Sequence, residues 1–227
     1  MSKTFFVTGT DTDVGKTTST LALLQAAAAR GLKAVAFKPV AAGCEIMEEG
    51  LCNQDVLFLQ KHSTLPLQYE QVVGYSFEPF SSPHIAAEES GVTIKLDVLS
   101  DGLSRLQKAT NADIIFVEGA GGWRVPIGNG HFLSDWVKYE NLPVIMVVGA
   151  RLGCINHALL TYEAIHRDML PVAGWCMNRV NPAMSHYQAN LETLKSLIPS
   201  PYLGEIPYIN KPHEHGLGHY LDISSLL

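Results

Sequence analysis

Residues 9–17 read GTDTDVGKT and join an apolar stretch of strand length, residues 4–8, to a stretch with leucine and alanine at helical spacing, residues 17–30. A glycine-rich turn that connects a strand to a helix and ends in Gly-Lys-Thr is typical of a phosphate-binding loop. The backbone amides of the turn and the positive end of the helix both favour phosphate oxygens. A Lys-Thr pair that followed a glycine turn by chance would not need a strand before it and a helix after it. The chain is therefore predicted to bind a nucleoside triphosphate with magnesium in a P-loop NTPase-type fold.

The loop also departs from the usual pattern. Five residues, not four, separate Gly9 from Gly15, so that Thr10 stands in the place of the usual first glycine. A polyphosphate would repel the two carboxylates of the loop, Asp11 and Asp13, unless a cation holds them. We therefore expect an ammonium group of a second substrate beside the loop.

Apolar runs of strand length alternate with amphipathic stretches of helical length. The runs are residues 4–8, 34–37, 114–117, 144–148, 172–177 and 202–203. The predicted helices are residues 17–30, 51–61, 97–108, 156–167 and 186–197. Apolar residues at consecutive positions indicate strands that are covered on both faces. The chain is therefore predicted to form an α/β fold, a mostly parallel β-sheet with helices on both faces, in one domain over residues 1–227.

The composition limits the partners and the compartment. A formal charge of −6 and a pI of about 5.8 give no general attraction for nucleic acid or an anionic membrane, so neither is an expected partner. No export signal or membrane-length apolar run stands out, and we expect a cytoplasmic protein. The four cysteines, Cys44, Cys52, Cys154 and Cys176, lack the C-x-x-C spacing and fit a reducing compartment. Cys154 is near a helix start, which favours either a lowered thiol pKa or plain packing.

Residues 65–91 contain three prolines and are predicted to be irregular. Within them, Ser82, Pro83 and His84 belong either to a ligand site or to a surface excursion, because long loops of α/β proteins serve both purposes.

Two carboxylates are candidates for a metal site. Glu118 follows the apolar run 114–117, at the strand end where parallel sheets bind ligands. Mg²⁺ takes few protein oxygens besides phosphate and water, so that Thr17, Glu118 and Asp55 would suffice. Asp55 has an alternative role as a carboxylate in the first turn of a helix.

A second lysine follows the second apolar run. Lys38 would then lie at the same sheet edge as Lys16, and two cations suit a reaction that passes through several negative charges. Taken alone, Lys38 could be a solvated lysine at a strand end. Because both lysines are expected near the surface, we predict that removing either one impairs turnover without unfolding the chain.

These motifs together resemble one family, the ATP-dependent dethiobiotin synthetases of biotin biosynthesis. The similar segments are residues 9–17 (GTDTDVGKT), 38–40 (KPV), 53–55 (NQD), 82–84 (SPH), 117–123 (VEGAGGW), 153–157 (GCINH), 174–175 (GW) with Asn178, and 203–207 (LGEIP). The resemblance implies a homodimeric ligase that uses ATP, Mg²⁺ and CO₂ to close a ureido ring on 7,8-diaminononanoate. An amine captures CO₂ as a carbamate, the carbamate attacks the γ-phosphoryl group, and the second amine displaces phosphate.

The resemblance also implies roles for individual residues. Those implied for catalysis are Lys38, Lys16 and Thr12, and those for the metal are Thr17, Asp55 and Glu118. Those implied for the nucleotide and its metal are Asp13, Val14, Gly15, Lys16, Thr17, Thr18, Asp55, Glu118, Gly119, Ala120, Gly121, Asn178, Arg179, Pro207, Tyr208, Ile209 and Glu214. Those implied for the diamine are Thr12, Asp13, Lys38, Ala42, Leu152, Gly153, Cys154, Ile155 and Asn156. Of these, residues 152–156 are expected to reach the substrate carboxylate from the partner subunit.

The chain differs from the family at two positions. Ala42 stands where a serine is frequent, and Asn190 stands where relatives have a tyrosine, although Tyr187 lies one helical turn earlier. These differences concern substrate affinity more than the reaction.

Three other interpretations fit the sequence less well: a zinc site, a partner-regulated ATPase switch and a glutamine-dependent synthetase. The histidines at positions 213, 215 and 219 fit no standard zinc spacing and are expected to be solvated. A partner-regulated ATPase switch of the same fold would carry an extra lysine early in the loop, where this chain has Asp11 and Thr12. A glutamine-dependent synthetase would need a glutaminase domain, for which the chain has no room.

Overall fold

A computed structural model describes residues 2–48 and 50–227 of the chain. The strands are β1 (Lys3–Gly9), β2 (Ala34–Ala42), β3 (Glu45–Met47), β4 (Gly50–Cys52), β5 (Val73–Phe77), β6 (Ile114–Glu118), β7 (Pro126–Gly128), β8 (His131–Phe132), β9 (Val144–Gly149), β10 (Val172–Asn178) and β11 (Tyr202–Ile206). The α-helices are α1 (Lys16–Ala29), α2 (Gln54–His62), α3 (Tyr69–Val72), α4 (Pro83–Glu89), α5 (Leu96–Thr110), α6 (Leu133–Tyr139), α7 (Cys154–Arg167) and α8 (Tyr187–Leu197). Short 3₁₀ turns cover Pro212–Glu214, Gly218–Tyr220 and Ser224–Leu226.

A seven-stranded parallel sheet forms the centre of the fold, in the order β11-β10-β9-β1-β6-β2-β5. All residues of β6 and β9 are buried, as expected of strands covered on both faces. This confirms the predicted α/β class. None of the helices in residues 2–48 and 50–227 is long and apolar enough to cross a membrane.

The sheet register brings the carboxyl ends of separate strands to one edge. Val7 pairs with Glu118, and Phe37 pairs with Val117, so that Lys38 stands level with Glu118 on the neighbouring strand. The phosphate-binding loop begins where β1 ends, and Asn178 ends β10. Parallel α/β sheets bind ligands at this edge.

The structure corrects the prediction that residues 65–91 are irregular. They contain α3, the edge strand β5 and α4. Strand β5 pairs with the second half of β2, from Lys38↔Val73 to Ala42↔Phe77. At Gly74 the backbones approach so closely that a Cβ atom would lie 2.4 Å from the carbonyl oxygen of Pro39.

That pairing also extends β2 beyond its predicted end, so that Lys38 lies within the strand instead of after it. The predicted helix at residues 51–61 begins three residues later. Its first residues form β4, which pairs with β3, and the Asn53 side chain caps α2 by accepting hydrogen bonds from the amides of Asp55 (3.0 Å) and Val56 (3.4 Å).

Candidate functional site

A cleft of about 820 Å³ opens at the carboxyl edge of the sheet, beside the phosphate-binding loop. Most of the residues that the sequence nominated line it. They are Thr12, Asp13, Gly15, Lys16, Thr17, Thr18, Lys38, Ala42, Asp55, Glu118, Gly119, Ala120, Gly121, Asn178, Arg179, Pro207, Tyr208 and Ile209. Residues from six separate segments of the chain therefore share one cavity.

A buried charge cluster lies at the floor of the cleft. Lys38 Nζ donates to Glu118 Oε1 at 2.6 Å and to Asp55 Oδ2 at 3.0 Å. The Thr17 hydroxyl donates to the same Glu118 oxygen at 2.9 Å. The Glu118 side chain is fully buried and the Lys38 side chain nearly so, whereas that of Asp55 is 43% exposed. The three residues that were candidates for the metal therefore converge, with Lys38 between the two carboxylates.

The charges of this cluster set its protonation. Burial alone would lower the pKa of Lys38, but the charges of Glu118 and Asp55 outweigh burial and raise it above its ordinary value. Burial likewise opposes ionisation of Asp55, and Lys38 outweighs it and lowers the pKa of that carboxyl. Lys38 therefore remains a cation at physiological pH.

Lys16 is held differently. Its Nζ donates to the carbonyl oxygen of Asp11 at 3.3 Å, a neutral partner. Burial, with the charge of Lys38 as the next cause, lowers the pKa of Lys16 to about 8. The expectation that both lysines lie near the surface is wrong, because Lys16 is 9% and Lys38 is 6% exposed.

One atom of the cluster fits a magnesium ion. Glu118 Oε2 is buried and has no hydrogen-bond partner among the described residues. An ionised oxygen without a partner is costly in the interior, and Mg²⁺ prefers carboxylate and hydroxyl oxygens. Together with Asp55 and Thr17, this oxygen forms a donor set suited to Mg²⁺ with phosphate and water. A dedicated cage of three or more His, Cys, Asp or Glu side chains is not found in the described part of the chain.

The glycine of the Gly-Lys-Thr sequence is required by the fold. Gly15 has φ of 83°, and a Cβ atom on it would lie 1.8 Å from Nδ2 of Asn178. Asn178 donates from that nitrogen to the carbonyl oxygen of Val14 at 3.0 Å. The end of β10 thus packs directly on the loop, and Val14 is buried behind it.

Asp11 has a cationic partner within the chain. Its carboxylate accepts from Arg151 and, through Oδ1, from the Thr12 amide at 2.8 Å. The expectation of a substrate ammonium group is therefore unnecessary for Asp11. Asp13, which lines the cleft, still fits it.

Other nominated residues lie outside the lining of the cleft. Glu214 pairs with Lys211 at 3.2 Å. The loop before α7 points elsewhere: Leu152 is 94% exposed and Gly153 has φ of 93°. Cys154, Ile155 and Asn156 begin α7. The Cys154 thiol is buried, and burial raises its pKa, so that packing and not a lowered pKa describes it.

The structure adds lining residues that the sequence did not single out. Arg124 lines the cleft, and its guanidinium pairs with both oxygens of Asp168 at 2.6 and 3.0 Å. Trp123 Nε1 donates to the same carboxylate at 2.8 Å.

Ser82 and Pro83 also line the cleft, which favours the interpretation of that segment as part of a ligand site. The histidine at 213 stacks on Phe58, and its centroid lies 4.2 Å away.

Tyr187, the possible substitute for the family tyrosine, is already engaged. Its hydroxyl donates to Glu205 Oε2 at 2.9 Å, and the guanidinium of Arg179 lies 4.5 Å from its ring centroid. Burial and the bond to Glu205 raise the pKa of Tyr187. Asn190 is partly buried and donates to the carbonyl oxygen of His186 at 2.9 Å.

Known proteins resemble the chain over its full length. A family model described as an AAA domain matches residues 3–215. The ATP-dependent dethiobiotin synthetase of Tolumonas auensis is 83% identical over 227 residues, with 100% of both chains covered. The enzyme of that name from Aeromonas hydrophila is 56% identical, again over 100% of both chains. The one from Vibrio parahaemolyticus is 51% identical over 100% of this chain and 99% of its own.

Solved structures share the fold at low identity. A ParA family ATPase from Chlorobium tepidum superposes with a TM-score of 0.55 at 14% identity, and covers 100% of this chain and 92% of its own. The MinC:MinD cell division complex of Aquifex aeolicus gives 0.53 at 16% identity, over 98% and 88%. These structures have the P-loop NTPase architecture predicted from the loop.

Proposed function

The chain belongs to the ATP-dependent dethiobiotin synthetases, and we propose that the charge cluster at the floor of its cleft performs their reaction. The enzyme joins CO₂ to 7,8-diaminononanoate and closes the ureido ring with ATP, which yields dethiobiotin, ADP and phosphate. The observation that carries the assignment of roles is the convergence of Lys16, Thr17, Lys38, Asp55 and Glu118 on one cavity.

The two lysines act on different charges of the reaction. A carbamate forms when an amine attacks CO₂ and loses a proton, and its oxygen then attacks the γ-phosphorus while ADP leaves. The second amine attacks the carbonyl carbon and displaces phosphate. Lys38, held charged by its carboxylates, offsets negative charge on the carbamate and phosphoryl oxygens. Lys16 turns from the Asp11 carbonyl to the β and γ oxygens when ATP binds.

The metal is assigned to Thr17, Asp55 and Glu118. The unpartnered Glu118 Oε2 and the partly exposed Asp55 would hold Mg²⁺ together with the Thr17 hydroxyl. When bound, the ion neutralises triphosphate charge. Lys38 donates to both carboxylates, so it would share them with the ion.

The reacting diamine is assigned to the side of the cleft that carries Thr12, Asp13 and Lys38. Asp13 supplies the negative charge that attracts an ammonium group, and Lys38 repels it but attracts the carbamate that replaces it. Ala42 lies on the wall of the same cavity. The serine hydroxyl frequent at this position in relatives is absent here, and one substrate hydrogen bond is absent with it.

The nucleotide base is assigned to the opposite end, near Asn178, Arg179, Pro207, Tyr208 and Ile209. An amide offers one donor side and one acceptor, which matches the edge of adenine. One Asn178 N–H already serves Val14, so that Oδ1 and the second N–H remain for the base. Glu214 and Val14 do not line the cleft, since Glu214 is exposed and Val14 is buried, and they would contribute only through local rearrangement or backbone atoms.

Asn178→Ala is expected to relax the preference for adenine by about tenfold, because a good base-edge amide contact discriminates by about 1–3 kcal/mol. The ratio of kcat/KM for ATP to that for GTP measures it. Asn190→Ala is the matched control, since Asn190 lies on α8 and does not line the cleft. An unchanged ratio in Asn178→Ala would contradict the assignment.

The enzyme is proposed to act as a homodimer. Residues 152–156 stand outside the cleft of their own chain, and Leu152 and Leu160 expose 94% and 57% of their surface there. The amides at the start of α7 suit a carboxylate, which a partner subunit would bring within reach. Sedimentation velocity distinguishes such a dimer from the 24.8 kDa monomer.

The four free, buried cysteines are in keeping with a single cytoplasmic domain.

The reaction itself gives the direct test. With diamine, labelled bicarbonate and MgATP, label is expected in a cyclic urea, and ATP hydrolysis is expected to require both diamine and bicarbonate. A partner-regulated switch of the ParA or MinD kind would instead hydrolyse ATP without either substrate. Label confined to acid-labile carbamate, with hydrolysis independent of the diamine, would overturn the proposed roles.

A further inference from the structure

We propose that Arg151 is a positioning residue of the phosphate-binding loop, which neutralises Asp11 and holds its carboxylate away from the triphosphate of ATP. The inference deepens the proposed function, since it concerns how the same cleft accepts its nucleotide. The motifs gave Arg151 no role, and they predicted a substrate ammonium group beside Asp11, where the structure has Arg151.

Asp11 connects two other residues of the loop with Arg151 outside it. Its carbonyl oxygen accepts from Lys16 Nζ at 3.3 Å, and its Oδ1 accepts from the Thr12 amide at 2.8 Å. Its other carboxylate oxygen accepts from Arg151, which is 140 residues away in the chain. A shift of Asp11 would therefore move a catalytic lysine and a substrate-facing threonine together.

The pair of Asp11 and Arg151 does not line the cleft. Thr12 and Asp13 line the cavity, whereas neither Asp11 nor Arg151 is among the described residues that do so. Arg151 follows Ala150, whose amide donates to the carbonyl oxygen of Asn178 at 2.8 Å, so its backbone is anchored to the end of β10. The arginine thus reaches the loop from a fixed point.

Neutralisation matters because the two lysines of the site already have partners within the chain. Lys38 is shared by two carboxylates, and Lys16 donates to the carbonyl oxygen of Asp11. Asp13 already adds a negative charge that lines the cleft. A second bare carboxylate on the same loop would repel ATP, and Arg151 cancels it at close range.

A double-mutant cycle on the full chain tests this. Arg151→Gln is expected to weaken equilibrium binding of MgATP about three- to tenfold, given partial screening of an exposed charge. The loss is expected to shrink at high salt, and KM for ATP to rise more than kcat falls. Asp11→Asn keeps the acceptor for Thr12 and removes the charge, so the double variant is expected to bind MgATP within twofold of the unmodified protein.

Arg167→Gln is the matched control, because it removes an exposed arginine from the last turn of α7. MgATP binding within twofold of the unmodified protein in Arg151→Gln would overturn the inference. So would a double variant as weak as Arg151→Gln, or a loss independent of salt, since either result means a role other than neutralising Asp11. Loss of MgATP binding in the unmodified chain would instead count against the proposed function, so the two failures are distinguishable.

Discussion

Lys38→Met is expected to lower the rate of ring closure at least about a hundredfold, and also to destabilise the fold. The rate falls because a fixed cation no longer offsets charge on the reacting oxygens. Stability falls because Glu118 is fully buried and loses its 2.6 Å partner. Removing one member of a buried ion pair typically costs about 3–5 kcal/mol. Single-turnover kinetics and urea unfolding measure the two effects.

The effect of Mg²⁺ distinguishes the role of Lys38 in catalysis from its role in stability. If Thr17, Asp55 and Glu118 hold the ion, Mg²⁺ is expected to restore part of the lost stability in Lys38→Met without restoring the rate. Lys33→Met is the control, because Lys33 is exposed just before the same strand. Ring closure within tenfold of the unmodified enzyme would remove Lys38 from the mechanism. Unfolding free energies unaffected by the substitution would contradict the expected cost of leaving Glu118 without its partner.

The central strands were predictable because strands buried on both faces have apolar residues at consecutive positions. All six residues of β9 are apolar or glycine, and all are buried. Strand β5 lacks this signal: it is a half-buried edge strand whose sequence includes Gly74 and Ser76. Its existence depends on pairing with the second half of β2, which a local pattern does not reveal.

Helix α6 was missed although its signal was present. Leu133, Trp136 and Val137 are buried and recur at helical spacing. Asp135 caps the start by accepting from the Phe132 amide at 2.9 Å. The helix has only seven residues, so the periodic pattern is too short to stand out.

The residues of the site also divide into those with a local sequence signal and those without one. Residues carried by continuous motifs, such as Lys16 and Thr17, were predicted from their spacing, and the resemblance added Asn178; all three line the cleft. The ion pairs that support them join residues far apart: Arg124 and Asp168 are 44 residues apart, and Arg151 and Asp11 are 140. A single sequence offers no periodicity for such pairs. The burial of Lys38 was mispredicted for a related reason, since it depends on pairing with β5 and on contact with Asp55 of α2.

Lys16→Ala is expected to lower turnover at least about a hundredfold, because Lys16 provides the charge nearest the β and γ oxygens. Unlike Lys38→Met, it is not expected to destabilise the ligand-free fold. Lys16 is buried with a carbonyl oxygen as its hydrogen-bond partner, and its lowered pKa means that the folded protein disfavours its charge. Thermal unfolding without nucleotide and steady-state turnover measure the contrast.

The pKa of about 8 for Lys16 also predicts a pH dependence whose sign is fixed. Between about pH 8 and the ordinary value of 10.5, Lys16 has lost its proton in the folded protein but keeps it in the unfolded chain. Because the unfolded chain binds more protons in this range, the contribution of Lys16 to the free energy of unfolding rises with pH there. ATP binding needs the charged form, so binding is expected to weaken as pH rises above about 8, with uptake of a proton on binding. Calorimetry in buffers of different ionisation enthalpy detects that proton. Lys16→Arg keeps its charge and is expected to remove the pH dependence; affinity of the unmodified enzyme that stays constant up to about pH 9.5 would show that Lys16 does not titrate there.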